Sequence, residues 1–130
     1  MSVWDELTPE QYAVLIGAIE EVYLNAVIYE HNFQVHRVVT DGAVVAPPIS
    51  EAEVRSLIPH FAQVVTDLIE RDWIEIREPH DGVWDNGVPM TAEQVAATLA
   101  DPDTWIWDED GGRRMVMLMT TDRWDALFTT

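Results

Sequence analysis

The 130 residues suffice for one hydrophobic core and are too few for two ordinary domains. Seven arginines and no lysine face 24 acidic residues, giving a formal net charge of −17. That field repels phosphate backbones, anionic membranes and anionic substrates, and it favours cations or basic proteins as partners.

A hydrophobic content of 48% fits a folded protein, and the lack of cysteine excludes disulfides, thiolate catalysis and thiolate metal sites. No apolar run approaches the roughly 18 residues of a membrane-spanning helix. The opening MSVWDELTPEQ is acidic where a signal peptide is basic, so a cytoplasmic location is expected.

In chain order, Thr8-Pro9-Glu10-Gln11 supplies an N-cap, a proline at the first helical position and a capping-box glutamine. Tyr12, Leu15, Ile16, Ile19, Val22, Tyr23, Ala26 and Val27 recur at helical spacing, which predicts one long helix to about Glu30. Leu24 and Ile28 widen its apolar face. Such a helix is central to the core or shared with a second chain, making it the expected homodimer surface. Valine-rich segments around Asp41-Gly42 predict a tight hairpin, ended by Pro47-Pro48.

Ser50-Glu51-Ala52-Glu53 predicts a capping box and a short helix through about Ile58. Pro59 begins a second helix with Phe61, Val64, Val65, Leu68 and Ile69 inward. DWIEIRE follows as a strand with Ile74 and Ile76 on one face. Residues 79–90, PHDGVWDNGVPM, read as a loop. Thr91-Ala92-Glu93-Gln94 opens a helix that stops before Pro102. Two apolar segments then flank the turn DEDGGRR, and a last helical turn from about Asp122 holds Trp124, Leu127 and Phe128.

DLIERDWIEIRE is similar to the end of a recognition helix entering the first wing strand of a winged helix-turn-helix domain. DGGRRMVMLMTTDRWDALF resembles the wing tip, return strand and following helix of MarR-type regulators, with Asp110, Arg113 or Arg114, Leu118 and Thr120 at the matching positions. The resemblance covers residues 50–78 and 108–128. It implies a single α+β domain over residues 1–130, winged-helix-like, with a long N-terminal helix, a helix-turn-helix pair and a small antiparallel sheet. Residues 79–103, including a helix, are inserted in the wing. It also implies DNA contacts at His60, Gln63, Arg71, Arg113 and Arg114.

The residues themselves point away from DNA. Phe61, Val65, Leu68 and Ile69 inward leave His60, Gln63, Thr66, Asp67 and Glu70 outward, where a DNA-reading helix carries Arg, Lys, Asn or Gln. Arg113 and Arg114 are expected to neutralise Asp108, Glu109 or Asp110 across the turn. Strand alternation groups Met115, Met117 and Met119 on one face, with Val116 and Leu118 on the other; Trp105 and Trp107 likewise oppose Ile106. A hairpin apolar on both faces is either core on both sides or an exposed Trp/Met contact surface. Trp84, in a Gly/Asp-rich loop, is an anchor or a binding hot spot.

His31, His36, His60 and His80 lack metal-helix spacing, and DEDGG lacks the closing glutamate of a calcium loop. No nucleophile elbow, phosphate loop or dinucleotide fingerprint occurs. The expectation is a non-enzymatic acidic interaction or regulatory module, without cofactor or metal, contacting a basic protein partner. The alternatives are a winged-helix regulator binding DNA as a dimer, and an acidic inhibitor (a DNA mimic or immunity protein) of a basic nuclease or nucleic-acid-binding protein.

Overall fold

A computed structural model describes residues 3–78 and 90–127. Side-chain caps set the helix starts. The Thr8 hydroxyl accepts the Gln11 N–H and the Gln11 side chain accepts the Thr8 N–H, opening helix α1, Pro9–Ile19. Thr91 and Gln94 do the same for α4, Ala92–Ala100. Ser50 accepts the Glu53 N–H at the start of α3, Glu51–Glu70, while its own hydroxyl donates to the Glu53 carboxylate.

The predicted long helix is two helices. After Ile19 the Glu21 N–H bonds the Ala18 carbonyl and the Val22 N–H bonds that of Gly17, with Glu21 left-handed at φ 56°. This is a Schellman stop with glutamate at the position glycine usually takes. The chain then crosses in extended form at Val22–Tyr23, makes a 3-10 turn over Leu24–Ala26, and resumes as α2, Val27–His36. The same stop ends α3, with Asp72 at φ 59°.

A second correction concerns the helix-turn-helix pair over residues 50–71. It is one 20-residue helix with Pro59 inside. Proline forgoes the bond to the Arg55 carbonyl. Val54, Ile58, Phe61, Val65 and Leu68 nevertheless form one buried stripe across it, and that stripe holds the helix together.

The hairpin β1, Val38–Thr40, and β2, Ala43–Val45, forms as predicted; Asp41 and Gly42 at φ 52° and 80° give the turn that matches strand twist. The strand of DWIEIRE is β3, Ile74–Arg77, with Ile74 and Ile76 buried. Past α4 come β4, Trp107–Asp108, β5, Gly111–Gly112, β6, Met117–Thr120, and α5, Asp122–Ala126. The methionine strand does not pair with the tryptophan segment, as a simple hairpin requires. β6 pairs antiparallel with β3, Ile76 opposite Leu118, while β4 pairs with β5 across the turn. On its other side β6 meets Tyr23: the Leu24 N–H bonds the Val116 carbonyl and the Leu118 N–H bonds that of Val22. The result is a small α+β domain whose core joins α1, α2, α3, β3, β6 and the residues just after α4.

Candidate functional site

Arg113 and Arg114, just after β5, are held by Asp108 across the turn and by carboxylates from more distant parts of the chain. Arg113 donates from Nε to Asp108 at 2.9 Å and from Nη2 to Glu51 at 2.8 Å, and its Nη1 lies 3.6 Å from Asp103. These hydrogen bonds, Arg55 first and Arg113 second for Glu51, hold the Glu51 carboxyl below its ordinary range. Arg113, and then the Asp110 N–H, do the same for Asp108. Arg114 makes a bidentate pair with Glu78, at 2.6 and 3.0 Å, and reaches Asp101 at 3.2 Å. The Glu78 hydrogen bond raises its pKa most. Of the three acids expected to face this pair, only Asp108 does. The others come from α3, the end of β3, the end of α4 and the 3-10 turn after it, so the arginines fasten these elements to one another.

The tryptophans and methionines divide. Trp105 closes a 3-10 turn after α4, is fully buried, and donates its indole N–H to the Leu99 carbonyl at 2.9 Å. It does not share an alternating face with Trp107, which is half exposed. Met117 is buried, and Met115 and Met119 are partly buried. The surface that the alternation of Trp105, Trp107 and the methionines outlines is therefore mostly core. Trp84, like His80 and Phe128, lies outside the described residues.

On α3, His60 and Gln63 are exposed. The Gln63 amide donates to Asp67 at 2.9 Å, Arg55 is paired with Glu51, and the Arg71 guanidinium lies 5.0 Å over the Trp73 ring. The structure thus spreads His60, Gln63, Arg71, Arg113 and Arg114 over sites where Gln63 and the three arginines already have partners within the chain.

The feature that sequence reasoning missed follows from the break at Glu20–Glu21. Separating α1 from α2 opens a groove of about 700 Å³. Leu7, Tyr12, Ile16, Val22, Val27 and Val35 line it, and its acidic lining residues are Glu20 and Glu30. Among the described residues no arginine lines it. His31 also lines it; the Nε2 atom is buried without a hydrogen bond, 3.8 Å from Glu10 Oε1. A second groove of about 610 Å³ shares Val22, Ala26 and Glu30 and adds Tyr29, Phe33 and Trp107. The Tyr29 hydroxyl fixes its wall, donating to the Trp107 carbonyl and accepting the Trp107 N–H, each at 3.0 Å.

One sequence signal for this arrangement was present in Asn25, a polar residue amid VYLNAVIY. It is 2% exposed and its amide donates to the Arg114 carbonyl and the Met115 sulfur, both at 3.3 Å. Those bonds tie the crossing between the two helices to the segment that leads into β6.

Among the described residues no group of three or more His, Asp or Glu could hold a metal ion, and no helix is long and apolar enough to cross a membrane. The chain matches no family model, no curated protein and no solved structure.

Proposed function

We propose that this chain is a non-enzymatic, acidic interaction module on a winged-helix-like scaffold, and that it receives a basic amphipathic segment of a partner protein in the α1–α2 groove. The observation that carries the reading is the groove itself: a largely apolar lining with the carboxylates of Glu20 and Glu30 and, among the described residues, no arginine. An amphipathic segment laid in such a groove buries its apolar face there, while its Lys or Arg side chains meet the carboxylates. The net charge of −17 speeds the approach of a basic chain.

The winged-helix part of the reading gains support from element order once the helices are reassigned. α1, the extended Val22–Tyr23, α2, α3, β3, the elements between β3 and β6, and β6 follow the sequence helix, strand, helix, helix, strand, wing, strand. In this assignment α2 and α3 are the helix-turn-helix pair, the β1–β2 hairpin is inserted between them, and α4 sits in the wing. Direct DNA binding is disfavoured because α3 exposes Glu51, Glu53 and Glu70, and because Arg55, Arg71, Arg113 and Arg114 are engaged within the chain.

Calorimetric titration with a synthetic Lys/Leu amphipathic helical peptide, and separately with a mixed-sequence DNA duplex, tests this. The peptide should bind, weaken as salt rises, and weaken further in Tyr12→Ala and in Glu20→Gln/Glu30→Gln. Duplex binding at physiological salt, reduced by Arg71→Ala or Arg113→Ala, would instead favour the DNA-regulator alternative. Peptide binding unaffected by the groove variants but lost on neutralising acids elsewhere would favour the inhibitor alternative.

A further inference from the structure

We infer that the β1–β2 hairpin is a dimerisation arm, which packs against the same hairpin of a second copy of this chain. Val38 stands opposite Val45 and Val39 opposite Val44, so both faces of the two-stranded ribbon are apolar. Every one of these valines is exposed: Val38 by 54%, Val39 by 74%, Val44 by 53% and Val45 by 44%. Val35, at the end of α2, extends the patch with 56% exposure. A two-stranded ribbon is marginal alone in water, and its outer edges carry none of the lysines or inward charges that guard a solitary edge. The ribbon is nonetheless tied down at its base, where the Asn32 amide donates to the Pro47 carbonyl at 3.1 Å.

Charge selects the occupant. Between Glu30 and Glu51 the chain carries one acid, Asp41, and one arginine, Arg37, in a protein of net charge −17. A basic partner is drawn to the carboxylate-bearing surfaces. Two copies of the same acidic chain repel least where their surfaces are neutral, and this hairpin is such a patch. Pairing of like ribbons is isologous and closes as a twofold dimer. The contact is centred on Val39 and Val44, outside the α1–α2 groove, and borders that groove at Val35.

Light scattering and sedimentation over a concentration series should give twice the chain mass of 14.8 kDa. The dimer should tighten with added salt, because salt screens the repulsion between copies, opposite to the salt response of a basic peptide in the groove. Val39→Asp/Val44→Asp should return the mass to one chain with an unchanged circular dichroism spectrum, and Val39→Thr/Val44→Thr, which keeps strand propensity, should weaken the dimer. Because the chain has no cysteine, a spin label on Thr40→Cys reports the contact alone and should give a short distance between copies. A wild-type mass of one chain at every concentration, or a dimer that persists in the aspartate variant, would overturn the inference.

Discussion

Replacing Glu21 by glycine, and in parallel by alanine, tests the break on which the α1–α2 groove depends. Glu21 sits at φ 56° between two helices that a sequence pattern would join. The left-handed conformation costs a residue with a Cβ about 1–2 kcal/mol. Glycine escapes that cost but gives back about 0.4–1 kcal/mol through the larger freedom of its unfolded chain. Glu21→Gly should therefore stabilise by about 0.5–1 kcal/mol, and Glu21→Ala should change little, since alanine carries the same Cβ. In a continuous helix the order reverses, with glycine about 1 kcal/mol worse than alanine. The two geometries thus predict opposite signs, separated by roughly 2 kcal/mol, or several degrees in melting temperature for a chain of this size. Urea unfolding followed by circular dichroism measures it, with equal m-values as the check that the unfolded state is unchanged. A glycine variant less stable than the alanine variant would refute the Schellman stop, and the groove with it.

Other substitutions separate core from surface. Trp105→Ala removes a fully buried indole, on the order of 200 Å² of surface, and strands the Leu99 carbonyl; it should cost about 3–5 kcal/mol in urea unfolding. Trp107→Ala, half exposed, should cost about 1–2 kcal/mol because the Tyr29 hydroxyl bonds the Trp107 backbone and survives the change. Gly112→Ala places a Cβ against the Asn25 amide and 2.6 Å from the Met115 sulfur. Displacing Asn25 should cost about 1–3 kcal/mol, seen as a lower urea midpoint. Glu51 and Asp108 have folded-state pKa values below their ordinary 4.5 and 3.8, so the unfolded chain takes up these protons first. Their contribution is full above those values and is lost as pH falls through and below them. Arg113→Ala should therefore narrow its gap in melting temperature to wild type progressively below about pH 4.5; a gap independent of pH would contradict the assignment.

Local chemistry was legible in the sequence wherever it acts within a few residues. The Thr8/Gln11 and Thr91/Gln94 boxes, the Asp41-Gly42 turn and the Ile74/Ile76 strand face all follow from spacing alone. Two boundaries did not. The stop after Ile19 places glutamate where glycine is the usual signal, so apolar spacing runs on through Val22 and Val27 without a visible break. At Pro59 the error was opposite: a strong breaker was overridden by burial of Val54, Ile58 and Phe61. The candidate site depended on contacts far apart in sequence. Arg114 meets Glu78 and Asp101, Arg113 meets Glu51, and Leu118 pairs opposite Ile76 rather than with the tryptophan segment. Strand alternation alone cannot distinguish Trp105 from Trp107, because the 3-10 turn that buries the first interrupts the alternation.

The central claim is that recognition occurs in the α1–α2 groove and is driven by apolar contact with carboxylates around it. Amide chemical-shift mapping tests it most directly, with the Lys/Leu amphipathic peptide added to the isotopically labelled protein. The account predicts shifts concentrated at Tyr12, Ala13, Ile16, Glu20, Ala26, Glu30 and His31, and absent from the exposed face of α3 and the Arg113–Arg114 tip. Shifts centred on His60, Gln63, Arg71 and the tip, with the groove silent, would contradict it.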